Sequence, residues 1–272
     1  MESRTRTIVA DVAFGESPRW HDDRVWFCDW LDGDVISVAP DGTDRRLHAH
    51  LDGFPICIDW LPDGSLVVVD GARRRLLSMG ASGLEQLADL SEISDRPWNE
   101  IVADGTGLLY VNGIGFDMTA GEEPTTGQVA LIDRDRSVRR VADDLAFPNG
   151  MAVSDDGNTL IVAESHGARL TAFTITATGE LTDRRTFAEI PDSAPDGICF
   201  AADGTLWYAD VPNRHCRRVA DGGSILETIE VDRGCFSCAL SPAGTLYITA
   251  TTWDEHTFNS RGGLLIAVDV GD

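Results

Sequence analysis

Four hydrogen-bonding side chains, Glu16, Asn99, Asn149 and Asp196, each stand eight residues before a repeated turn position. The turn positions are Arg24, Gly64, Gly107, Gly157, Gly204 and Gly244, and the same offset from the other two gives Ile56 and Phe236. Carboxylates and carboxamides are hard oxygen donors. A set of them drawn to one point suits Ca²⁺, Mg²⁺ or Mn²⁺, and Zn²⁺ also accepts carboxylate oxygen. Taken singly, each would read as a strand-entry residue bonding its own backbone, as Asn and Asp often do. Four in one register of an architecture that converges read as a site for one divalent ion. Such an ion polarises a carbonyl or phosphoryl oxygen, and Asp196 is the candidate general base beside it.

Other chemistries lack their residues. All 22 basic residues are arginine, so lysine Schiff bases and a P-loop lysine are excluded. No G-x-S-x-G elbow or H-E-x-x-H helix occurs. His48 and His50 would face one way on a strand, but in a region between repeats, and read as structural. Cys235 and Cys238 have CxxC spacing, yet on a straight strand residues three apart face opposite ways, so they are not expected to converge. They and Cys28, Cys57, Cys199 and Cys216 read as buried free thiols of a reducing compartment. Asp29, Asp70, Asn112, Glu164 and Asp210 close apolar runs and read as turn-formers.

The formal charge of −23 repels phosphate backbones and anionic membranes and attracts cations, which excludes nucleic acid as a partner. No apolar run approaches the roughly 20 residues that cross a bilayer, so no membrane association is expected. The charged start Met1–Arg6 leads into no apolar leader, and the expected compartment is the cytoplasm.

The elements that position the four residues follow from an internal repeat. Pro62-Asp63-Gly64-Ser65-Leu66 is echoed by Ala202-Asp203-Gly204-Thr205-Leu206 and Pro242-Ala243-Gly244-Thr245-Leu246. Further copies start at Ala103 and Ser154, and His21-Asp22-Asp23-Arg24-Val25 is a degenerate sixth. Each is a turn between two apolar runs, which makes a hairpin. The turns are spaced by 40, 43, 50, 47 and 40 residues, room for a hairpin and two more strands such as 34–38 and 127–132. The fold expected is all-β: a single six-bladed propeller domain over 1–272, with four-stranded antiparallel blades. Residues 5–10 close the ring beside 264–268. The first strand of each blade then lines the central channel, and the four polar residues meet at its mouth.

The segments Gly15-Glu16-Ser17-Pro18-Arg19-Trp20, Trp98-Asn99-Glu100, Phe147-Pro148-Asn149-Gly150-Met151 and Pro195-Asp196-Gly197-Ile198 resemble those of the SMP-30/gluconolactonase/luciferin-regenerating-enzyme family, as does the ending 262–271. The resemblance spans essentially the whole chain. It implies that Glu16, Asn149 and Asp196 are metal ligands, that Asn99 faces metal and substrate, and that the reaction is opening of a lactone to its hydroxy acid. Arg96, Trp98 and Glu100 are the neighbouring substrate-binding candidates. Sugar-lactonase members carry Arg where this chain has Pro97, and Asp where it has Glu100. Residues 113–124 are a candidate loop over the channel. Two other readings keep the metal: hydrolysis of an organophosphate or other ester, and a non-enzymatic calcium-binding propeller.

Overall fold

The computed structural model describes residues 4–271. Its strands form six separate four-stranded antiparallel sheets. The innermost strands are Gly15–His21, Ile56–Trp60, Ile101–Ala103, Pro148–Val153, Pro195–Phe200 and Gly234–Leu240. Each touches the next, and the last touches the first, so the six sheets stand as blades around one axis. The chain is a six-bladed β-propeller. Among the described residues the only helical pieces are the 3₁₀ turns Ser165–Gly167 and Thr257–Asn259, and no helix is long and apolar enough to cross a membrane.

Sequence dictates this architecture locally. The Asp-Gly turns fold because the aspartate side chain takes the backbone N–H two residues on; Asp63 bonds Ser65, Asp104 bonds Thr106 and Asp203 bonds Thr205. The following second strands, such as Leu66–Asp70 and Leu206–Asp210, are apolar up to a closing aspartate because both faces are covered by neighbouring blades. Six hydrophobic clusters result, each filling the wedge between two adjacent blades. Large side chains such as Trp98 and Trp207 are fully enclosed there. Burial of each such group stabilises by roughly 1.5–3 kcal/mol. Outer strands carry the charges, as in Leu181–Glu189, which discourages edge-to-edge pairing.

Residues Thr5–Val12 supply the outermost strand of the sixth blade, antiparallel to Gly263–Asp269, with Thr5 opposite Val268 and Val12 opposite Gly263. The ring is thus closed by joining the two ends of the chain, as the sequence predicts.

One expectation is overturned. Cys235 and Cys238 do converge: both enter the wedge between blades five and six, with Cys216, and the Cys238 sulfur lies 3.8 Å from that of Cys199. The reason is a β-bulge. Cys235 pairs with Ala250 and Ser237 with Thr249, so one extra residue breaks the strand's alternation. All six cysteines are free thiols. His48 and His50 go to different partners, the Ser37 hydroxyl and the Asp34 carboxylate.

Candidate functional site

The same bulge recurs where the polar residues sit. Between Glu16 and Arg19, Pro148 and Met151, and Pro195 and Ile198, three steps on the inner strand match two on its partner. A bulge bends the strand and re-aims a side chain. Here it turns Glu16, Asn149 and Asp196 toward the axis at the channel mouth. In blade one the bulge uses Ser17 at φ +50°. In blades four and five it uses glycine, because the inner strands pass too close for a side chain. A Cβ on Gly150 would meet the Asp196 carbonyl oxygen at 2.5 Å, and one on Gly197 would meet Ser237 within 1.9 Å.

The residues that close the second strands fasten this crown. Asp29 accepts the N–H groups of Ala13 and Phe14 at 2.8 and 2.9 Å, which sets the entry to Glu16. Glu164 accepts the Ala146 N–H at 2.7 Å and sets the entry to Asn149. Asn112 receives the Glu100 N–H at 3.3 Å and donates to the Asn149 carbonyl at 2.5 Å, joining blades three and four. These groups are buried and fully engaged, so they hold the site rather than serve it.

Glu16, Asn99, Asn149 and Asp196 together line one cavity of about 460 Å³ over the channel mouth. The Asn99 amide donates to Asn149 Oδ1 at 3.3 Å, and the Asn149 amide donates to the Ser165 hydroxyl at 3.3 Å. Each carboxamide therefore turns in a defined sense. Trp98 borders the cavity but is fully buried in the wedge between blades two and three. Two candidates lie elsewhere. Arg96 is paired with Glu122 at 2.6 Å and Asp95 at 2.8 Å. Glu100 points down the channel to Arg19 at 3.0 Å, as a neighbour of Asn99 on an extended chain must, since successive side chains alternate.

Arg96 has a structural task instead. Its partner Glu122 also accepts the Asp117 N–H at 2.8 Å, which holds the segment after Gly113 against the propeller. Ile114, Phe116, Asp117, Met118 and Thr119 of that segment form one side of the cavity. The opposite side is aromatic: Phe14, Trp30, Phe54, Phe236, Trp253 and Phe258. Sequence reasoning missed this wall. Phe236 alone stood in the repeat register, and the other five come from connections of unequal length.

Electrostatics sets the crown apart. Burial, followed by the charge of Glu100, pushes the Glu16 carboxyl up to about 8. Burial, followed by the charge of Glu16, raises Asp196 well above the carboxylate range. Asp196 Oδ1 is buried with no hydrogen-bond partner. Two enclosed carboxyls, one with an orphaned oxygen, are costly as anions unless a cation joins them. The donor set is two carboxylates and two carboxamides. Among the described residues, no three His, Cys, Asp or Glu side chains gather to hold a metal by themselves. An oxygen-seeking divalent cation fits this set.

Comparison with known proteins agrees with the architecture. Regucalcin of Danio rerio is 25% identical over 225 residues, covering 80% of this chain and 75% of that protein. L-arabinolactonase of Azospirillum brasilense is 29% identical over 257 residues, covering 90% and 83%. The crystal structure of a calcium-binding protein, regucalcin, from Agrobacterium tumefaciens superposes with a TM-score of 0.81 at 20% identity, covering 98% and 93%. The SMP-30/gluconolactonase/LRE-like region matches residues 14–252, from the entry to the first blade to the end of the sixth blade's second strand, and the chain belongs to that family.

Proposed function

We propose that this protein is a divalent-metal-dependent hydrolase that opens a small lactone to its hydroxy acid, acting as one propeller domain. The observation that carries the reading is the orphaned, buried Asp196 oxygen, set with Glu16, Asn99 and Asn149 in the floor of one cavity. Membership of a family with lactonases supports it, as does the similarity to L-arabinolactonase.

Glu16, Asn149 and Asp196 would hold the ion, with Asn99 beside it. A divalent cation bound there supplies Lewis-acid polarisation of the ring carbonyl and stabilises the developing oxyanion. Asn99 orients the substrate: its amide is held by Asn149, so the direction of its free donor is fixed before substrate arrives. Asp196, whose buried Oδ1 has no hydrogen-bond partner, is placed to take the proton from the attacking water. The largely apolar walls lower the polarity around the floor, which strengthens each of these interactions. The product carries a new negative charge, and the net charge of −23 favours its departure. Six unpaired cysteines fit the reducing cytoplasm as its compartment.

The test is Asp196→Ala beside wild type, read by acid release from lactones and by thermal unfolding. The reading expects release to vanish while the fold survives. Release that persists in the variant contradicts it. A second reading, a calcium-binding propeller without turnover, is favoured by the calcium-binding protein that superposes on this chain. It predicts a calcium-dependent rise in melting temperature with no ester cleaved.

A further inference from the structure

The walls of the cavity differ in kind from its floor. Phe14, Trp30, Phe54 and Phe258 form a closed circuit in which each ring lies 5.5–6.0 Å from the next, with interplanar angles of 3–16°. Phe236 meets Phe14 edge-on at 4.6 Å, and Trp253 meets Phe236 edge-on at 5.4 Å. These six rings come from the first, second and sixth blades, and all line the cavity.

The hydroxyls on the walls are already committed, and among the described residues the one buried donor there without a partner is Trp98 Nε1. The Ser165 hydroxyl donates to the Pro195 carbonyl at 2.7 Å and receives the Asn149 amide. The Thr119 hydroxyl donates to Asp117 Oδ1 at 2.6 Å, an oxygen that also accepts the N–H groups of Thr119 and Ala120. His166 packs its ring on Phe147 at 4.6 Å. No arginine lines the cavity, and Arg96, the nearest in sequence to Asn99, is held by Glu122 and Asp95. A pocket that selects a polyol needs hydroxyl partners left unpaired until substrate arrives. Burying several substrate hydroxyls against these rings would leave them without hydrogen bonds.

At the mouth, Trp253 and Phe258 are about half exposed, 48% and 45%, and Met118 across from them is 49% exposed. Large apolar side chains grouped around an opening mark a ligand-binding rim. We propose that the substrate is a lipophilic lactone, its polar ring carbonyl on the Glu16–Asn99–Asn149–Asp196 floor and an alkyl or aryl substituent against the aromatic wall. Sugar-derived lactones are then poor substrates. This inference rests on the lactonase reading, which a separate arm of the experiment decides.

The experiment uses the calcium-loaded full chain with two unreactive mimics, γ-nonalactam and glucono-δ-lactam, and binding is read by tryptophan fluorescence. Each methylene buried on the wall contributes about fourfold in affinity. The alkyl lactam is therefore expected to bind at least about 100-fold more tightly than the sugar lactam. Trp253→Ala and Phe258→Ala, both at half-exposed positions, should each weaken the alkyl lactam about three- to tenfold and leave the sugar lactam unchanged. Equal or tighter binding of the sugar lactam, or no binding of either, overturns the inference. The second arm measures acid release from γ-nonalactone and glucono-δ-lactone. Faster hydrolysis of the sugar lactone overturns the inference and keeps the lactonase. Alkyl-lactam binding with neither lactone hydrolysed overturns the lactonase and keeps the apolar specificity.

Discussion

Replacing Glu16 by Gln removes one ionisable group and leaves the side chain's shape intact. The Ser17 N–H, which bonds Glu16 at 3.0 Å, keeps an acceptor in the variant. In the metal-free protein the Glu16 carboxyl is raised from 4.5 to about 8, by burial and then by Glu100. A group raised on folding contributes stability that is complete below its unfolded value and is lost as pH rises through its folded value. For Glu16 that window runs from 4.5 to about 8. The whole shift corresponds to roughly 5 kcal/mol at one proton per site. Asp196 is raised by burial and then by the charge of Glu16, so the two carboxyls share the burden, which brings the expectation for Glu16 alone to about 2–3 kcal/mol. The assay is urea unfolding of chelator-treated wild type and Glu16→Gln between about pH 5 and pH 9. Wild type should lose about 2–3 kcal/mol relative to the variant across that range, with the variant the more stable at the alkaline end. Calcium should then restore the wild type, by roughly 3 kcal/mol at a hundredfold excess over its dissociation constant, and do little for the variant. A wild-type-minus-variant difference that stays flat with pH refutes the reasoning, because the buried carboxyl would then carry no strain for a cation to relieve.

Two structural predictions accompany it. Gly197→Ala drives a methyl group into Ser237, side chain and backbone alike, and should cost about 2–4 kcal/mol in urea unfolding while distorting the Asp196 bulge. Removing residues 1–12 strips the outer strand from the sixth blade and exposes the edge of Gly263–Asp269. The shortened chain should aggregate or melt well below the full one by calorimetry.

Much of this molecule is legible in its sequence because the signals are local. An Asp-Gly turn needs only its own four residues, so the repeat at Gly64, Gly157 and Gly204 marks its hairpins directly. A fixed offset from those turns then carries Glu16, Asn99, Asn149 and Asp196 to one cavity. The bulges were not legible, since they depend on which residue pairs across the strand; Cys235 and Cys238 were misplaced for that reason. Yet Asn149-Gly150 and Asp196-Gly197 carried a trace of them, a glycine where two inner strands press together. Glu100 could have been assigned by alternation alone, since it adjoins Asn99. The aromatic wall had no such rule: Trp30, Phe54 and Phe258 lie at unrelated offsets in different connections and meet only through the closed ring.

The most direct test of the central claim is acid release from a lactone by chelator-stripped protein, titrated separately with Ca²⁺, Mg²⁺, Mn²⁺ and Zn²⁺ while bound metal is counted. The account predicts a rate near background in the stripped protein, rising in step with one bound ion per chain and absent in Asp196→Ala at equal folded concentration. Full turnover by the stripped protein, or by the variant, would contradict it.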